Sequence, residues 1–274
     1  MGEIDLDAYF ARIGYAGPRE ATLQVLAALQ RAHTAVIAFE SLSPFMGSAV
    51  KIDADSIQAK LVRGGRGGYC FEQNGLFWRA LTQLGFAVTP LSARVRWGAP
   101  EDAPPGPLSH MMLKVELPEG TFHCDVGFGG QSPTAPLRMQ ADVEQATPHG
   151  TYRFVERDGG LELQMRLADR WGALYRFNFE PRLLPDYEVS NWYVSTLPTS
   201  RFRNNLIASL APEGRRLNLM NTDLTTYFAD GRVEERTLAS ADELLALLTR
   251  DFGLAVAPED AAEMFAKASA GETA

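Results

Sequence analysis

Apolar residues recur at two different spacings along this chain, and the change comes near residue 87. Before it, Leu6, Tyr9, Phe10 and Ile13 repeat every three or four residues, the spacing of one helix face, until Gly14 and Gly17-Pro18 interrupt the run. Leu23, Leu26, Leu29 and His33 form a second stripe, and Ile57 with Leu61 a short third. A histidine on such a stripe reads as structural, so His33 is assigned to the core. A further helix is predicted from Cys70, with Phe71, Phe77, Trp78, Leu81 and Leu84 on roughly one face and Gly85 as its stop.

From residue 88 the segments are short and rich in β-branched or aromatic residues. Strands are predicted over 88–97, 110–117 and 121–128, with Pro118-Glu119-Gly120 turning between the last two. Segments 152–156, 161–166 and 173–179 continue the pattern, and strands at this spacing predict a small barrel or sandwich. The proline-rich stretch 99–107 reads as a surface loop ahead of His110. After Pro185 the texture is mixed. Strands are predicted over 205–210, 215–220, 225–228 and 232–236, with turns at Glu213-Gly214 and Asp230-Gly231. Ser240 with Glu243 is a capping box opening a helix to about Arg250, and Pro258 starts a last helix that fades into a polar tail at Gly271.

The 274 residues are 46% hydrophobic and 22% charged, ordinary for a chain that buries a core. The net charge of −8 argues against a nucleic-acid partner, which calls for a basic face. Residues 1–6 carry acids and lack the basic-then-apolar order of a signal peptide, and no run nears the roughly 18 apolar residues of a membrane span. With only two cysteines there is no disulfide scaffold. The expectation is a soluble cytoplasmic protein with reduced thiols and no membrane partner.

Those two thiols differ in context. Cys70 follows Arg66-Gly67-Gly68-Tyr69 and opens the predicted helix, where unpaired N–H groups and the helix dipole favour an anion. That position predicts a lowered thiol pKa and a nucleophile at neutral pH. Cys124 sits mid-strand and reads as core. Neither has a ligand-pair spacing, so no metal is expected.

A cysteine nucleophile needs a base, and the base an orienting acceptor. His110, opening a strand beside a loop, is the favoured base; His123 is the rival, and His149 in Thr147-Pro148-His149-Gly150 reads as a loop residue. Asp125, in apolar surroundings, must be paired. If the turn is the two residues Pro118-Glu119, His110 lies opposite Gly127 and Asp125 is its diagonal neighbour, about 7–8 Å away on the same face. If the turn holds three residues, Asp125 falls on the other face unless a bulge intervenes. Both registers stay open here.

The run Arg66-Gly67-Gly68-Tyr69-Cys70-Phe71-Glu72-Gln73-Asn74 resembles the signature of the arylamine N-acetyltransferases. The likeness extends to Leu108-Ser109-His110, to Asp125-Val126-Gly127-Phe128-Gly129 and to Asn191-Trp192-Tyr193-Val194-Ser195-Thr196, in the same order over most of the chain. The resemblance implies an α+β fold in three domains: a helical bundle (1–86), a β-barrel (87–190) and an α/β lid (191–274), around a cysteine-protease-like core. It implies a catalytic triad of Cys70, His110 and Asp125, and an ion pair holding Arg66 to Glu40. By the same likeness Phe39, Val95 and Phe128 line the acceptor pocket, and Gly127, Gly129 and Gly130 flank the acyl donor.

The function so implied is transfer of an acetyl group from acetyl-CoA, a co-substrate, to an arylamine, arylhydrazine or arylhydroxylamine through an acetyl-cysteine, as in xenobiotic metabolism. The expected partners are small aromatic amines or hydrazines, and the expected state is a monomer or homodimer. Rival readings are an amide synthase of the same fold joining a polyketide acyl chain to an aromatic amine, a Cys-His-Asp hydrolase or transglutaminase-like enzyme, and a silent binding protein with Cys70 as a core thiol.

Overall fold

The computed structural model describes residues 2–270, so the tail predicted from Gly271 lies outside the described residues. Its organising element is the helix Cys70–Gln83, which ends as predicted at Gly85 with φ +86°. The single apolar face expected of it is not what forms. Glu72, Gln73, Asn74 and Arg79 are buried along with Phe71, Phe77 and Leu81, because helices cover one side and strands Ala87–Val95 and Leu108–Leu117 the other. Each buried Phe or Leu of this helix contributes about 1.5–3 kcal/mol. Its polar residues are tolerated because they are bonded; Arg79 donates to the carbonyls of Gly75 and Ile52. Helices Leu6–Ile13 and Leu23–Val36, capped by Asp5 and Thr22, pack against the same core.

Eight antiparallel strands follow in the spatial order Leu137–Arg138, Gly120–Cys124, Leu108–Leu117, Ala87–Val95, Trp171–Pro181, Gly160–Arg166, Gly150–Arg157 and Gln145–Thr147. The sheet curls into a nearly closed barrel around Leu91, Tyr152, Phe154, Leu163, Tyr175 and Phe177. Its two edges meet where the Gln145 amide accepts from the Arg138 N–H and donates to the Arg138 carbonyl. Closure of this kind removes exposed edges.

A second antiparallel sheet has the order Phe39–Glu40, Ile207–Leu210, Arg215–Met220, Asp223–Phe228 and Val233–Thr237. Its first strand comes from the helical part of the chain, which stitches the two ends of the sequence together. Two residues are too few to show a periodicity, so no sequence pattern announces that strand. Leu210, Leu217, Leu219 and Leu224 bury one face of the sheet under the C-terminal helical segments with Leu244, Leu248 and Met264. The other face looks toward Cys70 across a cavity. Among the described residues no helix is long and apolar enough to cross a membrane.

Candidate active site

The glycine-rich loop before Cys70 lies against the short strand Phe39–Glu40. The Glu40 N–H donates to the Gly68 carbonyl and the Gly68 N–H to the Ala38 carbonyl. A Cβ on Gly67 would come within 2.0 Å of the Ala38 carbonyl oxygen, so only glycine permits the approach. Four charged side chains lock the loop. Arg66 pairs with Glu40 at 2.8 Å, as the resemblance implied, and Lys60 bridges Glu72 at 2.7 Å and Glu40 at 3.6 Å. Glu72 also accepts the Tyr69 N–H, which fixes the chain just before the helix starts. Burial works against the Glu40 charge, but the Lys60 and Arg66 cations outweigh it and lower that pKa.

Cys70 is therefore the first residue of its helix and only 3% exposed. Its thiol lies 3.8 Å from the Ser109 carbonyl and in hydrogen-bonding contact with the His110 ring. Cys70 and His110 share the wall of one cavity of about 600 Å³.

The hairpin register that carries His110 is the two-residue one. Leu117 pairs Gly120 and Leu113 pairs Cys124, with Pro118 and Glu119 alone in the turn. The strand predicted through 128 stops at Cys124, however. From there Asp125 leaves the ladder and is tied instead to the nucleophile helix. The Asn74 amide donates to Asp125 Oδ1 at 2.8 Å and accepts from the Val126 N–H at 3.0 Å. Gly127 sits where a Cβ would be 2.8 Å from the Cys70 Cα, so this segment can press directly on the helix start.

Asp125 is fully buried and accepts four hydrogen bonds. Oδ1 takes the Asn74 amide and the Gly127 N–H; Oδ2 takes His110 Nε2 and the Tyr175 hydroxyl, each at 2.7 Å. Burial alone would raise its pKa, yet the His110 charge and these bonds hold it down to about 2. His110 is buried too, which opposes its charge. The Asp125 carboxylate and the contact with Cys70 prevail and raise its pKa to about 10. With Nε2 on Asp125, Nδ1 is the nitrogen left for Cys70. The ring is fixed between Phe128 and Tyr175, whose centroids lie 4.9 and 4.8 Å away.

His123 shares none of this access. It is fully buried, and its Nε2 donates at 2.6 Å to the Tyr175 oxygen, whose own proton is spent on Asp125. Burial takes its pKa down to about 4. Cys124 is buried in the core, as expected, and burial raises its pKa. His33 is buried between the Tyr9 hydroxyl and the Gln73 amide. His149 lies in the turn between strands Gln145–Thr147 and Gly150–Arg157, as read from the sequence; it is half-buried and bonds Thr134 and the Pro212 carbonyl.

Phe39, Val95, Phe128, Gly127, Gly129 and Gly130 all line the cavity that Cys70 opens onto. Trp97 and Phe202 line it as well. Sequence reasoning missed Tyr175 and the role of Asn74. Tyr175 lies on a strand remote in sequence from Asp125, and no local pattern marks it. Asn74 was within reach, since a buried amide one helical turn after Cys70 is placed to bond whatever packs there.

A family model described as N-acetyltransferase matches residues 22–261. The arylamine N-acetyltransferase of Mycobacterium tuberculosis is 42% identical over 259 residues, spanning 93% of this chain and 90% of that protein. That of Escherichia coli is 39% identical over 252 residues, spanning 92% and 89%. Among solved structures, the Mycobacterium marinum arylamine N-acetyltransferase in complex with CoA superposes with a TM-score of 0.92 at 40% identity, over 96% of this chain and 99% of that one.

Proposed function

The chain belongs to the arylamine N-acetyltransferase family, and we propose that it works through an acetyl group carried on Cys70. The observation that carries this reading is the buried chain of Cys70, His110 and Asp125, with Cys70 and His110 on one cavity wall, Asp125 behind them and His110 bonded to both partners. Cys70, as a thiolate paired with the His110 imidazolium, attacks the thioester carbonyl of acetyl-CoA. Backbone N–H groups around Cys70 would hold the developing oxyanion, a contribution of about 3 kcal/mol per donor. The C–S bond to CoA breaks, and His110 can supply the proton to the departing sulfur. An arylamine, arylhydrazine or arylhydroxylamine then attacks the acetyl-cysteine, its proton passes to His110, and the thiolate is restored.

Asp125 orients His110 and stabilises its cation in both steps, the roles of the third member of a cysteine-protease-like triad. Phe39, Val95 and Phe128 offer an apolar wall for an aromatic ring. Gly127, Gly129 and Gly130 line the same cavity, and we assign them to the side of the acyl donor. We read the chain as three units, a helical bundle (1–86), a barrel (87–190) and a lid (191–274), with the five-stranded sheet of the lid keeping water from the acetyl-cysteine. The test is CoA release from acetyl-CoA. Release that depends on an added arylamine, with the N-acetylated amine as product, is expected; release without any amine would make the chain a hydrolase.

A further inference from the structure

We propose that Arg216 is a positioning residue for the acyl donor: it holds the segment 129–133 as the cavity wall along which CoA lies, so that the preference for acetyl-CoA over a small acetyl ester depends on it. This rests on the acetyl-transfer reading, which gives Gly129 and Gly130 to the donor, and adds the residue that fixes them.

The segment starts at the nucleophile and leads away from it. Gly127 packs on the Cys70 Cα, and Gly129, Gly130 and Gln131 continue along the wall of the same cavity. A donor whose acetyl group reaches Cys70 has this wall on one side of its remaining length. No ladder holds the segment, since one barrel strand ends at Cys124 and the next begins at Leu137. Its own regular structure is a single turn of 3-10 helix, Gly129–Gln131. Side chains reaching in from behind set its place.

Arg216 is the chief of these. It stands on the lid strand Arg215–Met220 and is buried. Its Nη1 donates to the Gly130 carbonyl at 2.6 Å and its Nη2 to the Ser132 carbonyl at 3.0 Å, with the His149 carbonyl and the Tyr152 oxygen 3.3 and 3.4 Å from Nη2. Tyr152 donates to the Gln131 carbonyl at 3.1 Å, and the Gln30 amide to the Pro133 carbonyl at 2.9 Å. The carbonyls from Gly130 to Pro133 are thus all bonded by side chains that do not line the cavity. The planar guanidinium fork spans two carbonyls two residues apart, which a lysine ammonium does not match. Without Arg216 the Gly130 carbonyl has no donor among the described residues. A buried carbonyl left unpaired is costly, and the glycines on either side of that bond let it turn toward the cavity, across the donor's path.

The experiment measures the donor kcat/KM for acetyl-CoA and for 4-nitrophenyl acetate, at saturating arylamine, in the wild-type protein and in Arg216→Met. In a two-step transfer this quantity reports acetylation of Cys70 alone, and the ratio of the donors within one protein cancels the active fraction. A general loosening of the site lowers both donors together and leaves the ratio where it was. The ratio of acetyl-CoA to nitrophenyl acetate is expected to fall about tenfold in Arg216→Met, with inhibition by free CoA weakened alongside. Arg216→Lys, which keeps the charge but not the fork, is expected to show a smaller fall and supplies the readout if the methionine variant folds poorly. An unchanged ratio overturns the proposal. Acetyl loading of wild-type Cys70 by acetyl-CoA alone is followed by mass in parallel. A chain that does not load defeats the transfer reading itself, whereas a chain that loads and keeps its ratio in the variants defeats only this assignment.

Discussion

Two thiols and two imidazoles are buried in this part of the molecule, and only one of each faces the cavity. Cys70 and His110 open onto it, while Cys124 packs in the core with the nucleophile helix and His123, on the opposite face of the same strand, packs among the aromatic residues of the barrel. Both histidines are fully buried and both are tied to Asp125, yet their proton affinities move in opposite directions. Burial disfavours the cation of each. His110 recovers its charge because it touches the carboxylate directly and has Cys70 beside it. His123 reaches Asp125 only through the Tyr175 hydroxyl, and the His110 charge adds to the burial that keeps it neutral. One hydrogen-bond link separates a catalytic candidate from a structural prop.

The largest test of that contrast is at sulfur. Cys70→Ala is expected to reduce acetyl transfer to background with the fold retained, while Cys124→Ala keeps transfer and loses about 1 kcal/mol of stability, read by thermal unfolding. Equal losses would break the comparison.

The imidazoles come next. His110→Ala is expected to lower turnover by about 10²–10⁴ and to suppress alkylation of Cys70 by iodoacetamide at neutral pH. His123→Phe, which removes one hydrogen bond to Tyr175 but keeps a ring among Phe154, Tyr175 and Phe177, is expected to cost about tenfold or less. A larger effect at His123 than at His110 would reverse the assignment of the base.

The smallest effect is on pH. Side-chain nitrogen NMR at pH 7 is expected to show His110 doubly protonated and His33 and His123 neutral, since their pKa values lie near 10, 4 and 4. The signs differ for stability. The raised pKa of His110 contributes fully below the ordinary value of about 6.5 and is lost as pH rises through about 10. The lowered pKa values of His33 and His123 instead cost stability as pH falls from about 6.5 toward about 4. His123→Phe removes its share of that acid loss.

The readable part of this site was local. A glycine loop running into an apolar-periodic segment marks the helix that begins at Cys70, and alternation marks the strand of His110. Two registers were open for Asp125 because a turn of two or three residues reads alike in Pro118-Glu119-Gly120. The ladder takes the two-residue turn, with Leu117 opposite Gly120, and Asp125 then leaves it toward Asn74. The strand Phe39–Glu40 was too short to see, and the helix Leu184–Thr196 has no consistent apolar face, with Val189 and Trp192 exposed and Asn191 buried.

The most direct measurement is the mass of the protein after brief exposure to acetyl-CoA with no amine, followed by peptide mapping. One added acetyl group on the Cys70 peptide, discharged when an arylamine is supplied, is the predicted result. An acetyl group on Cys124, or none on either thiol while transfer proceeds, would contradict it.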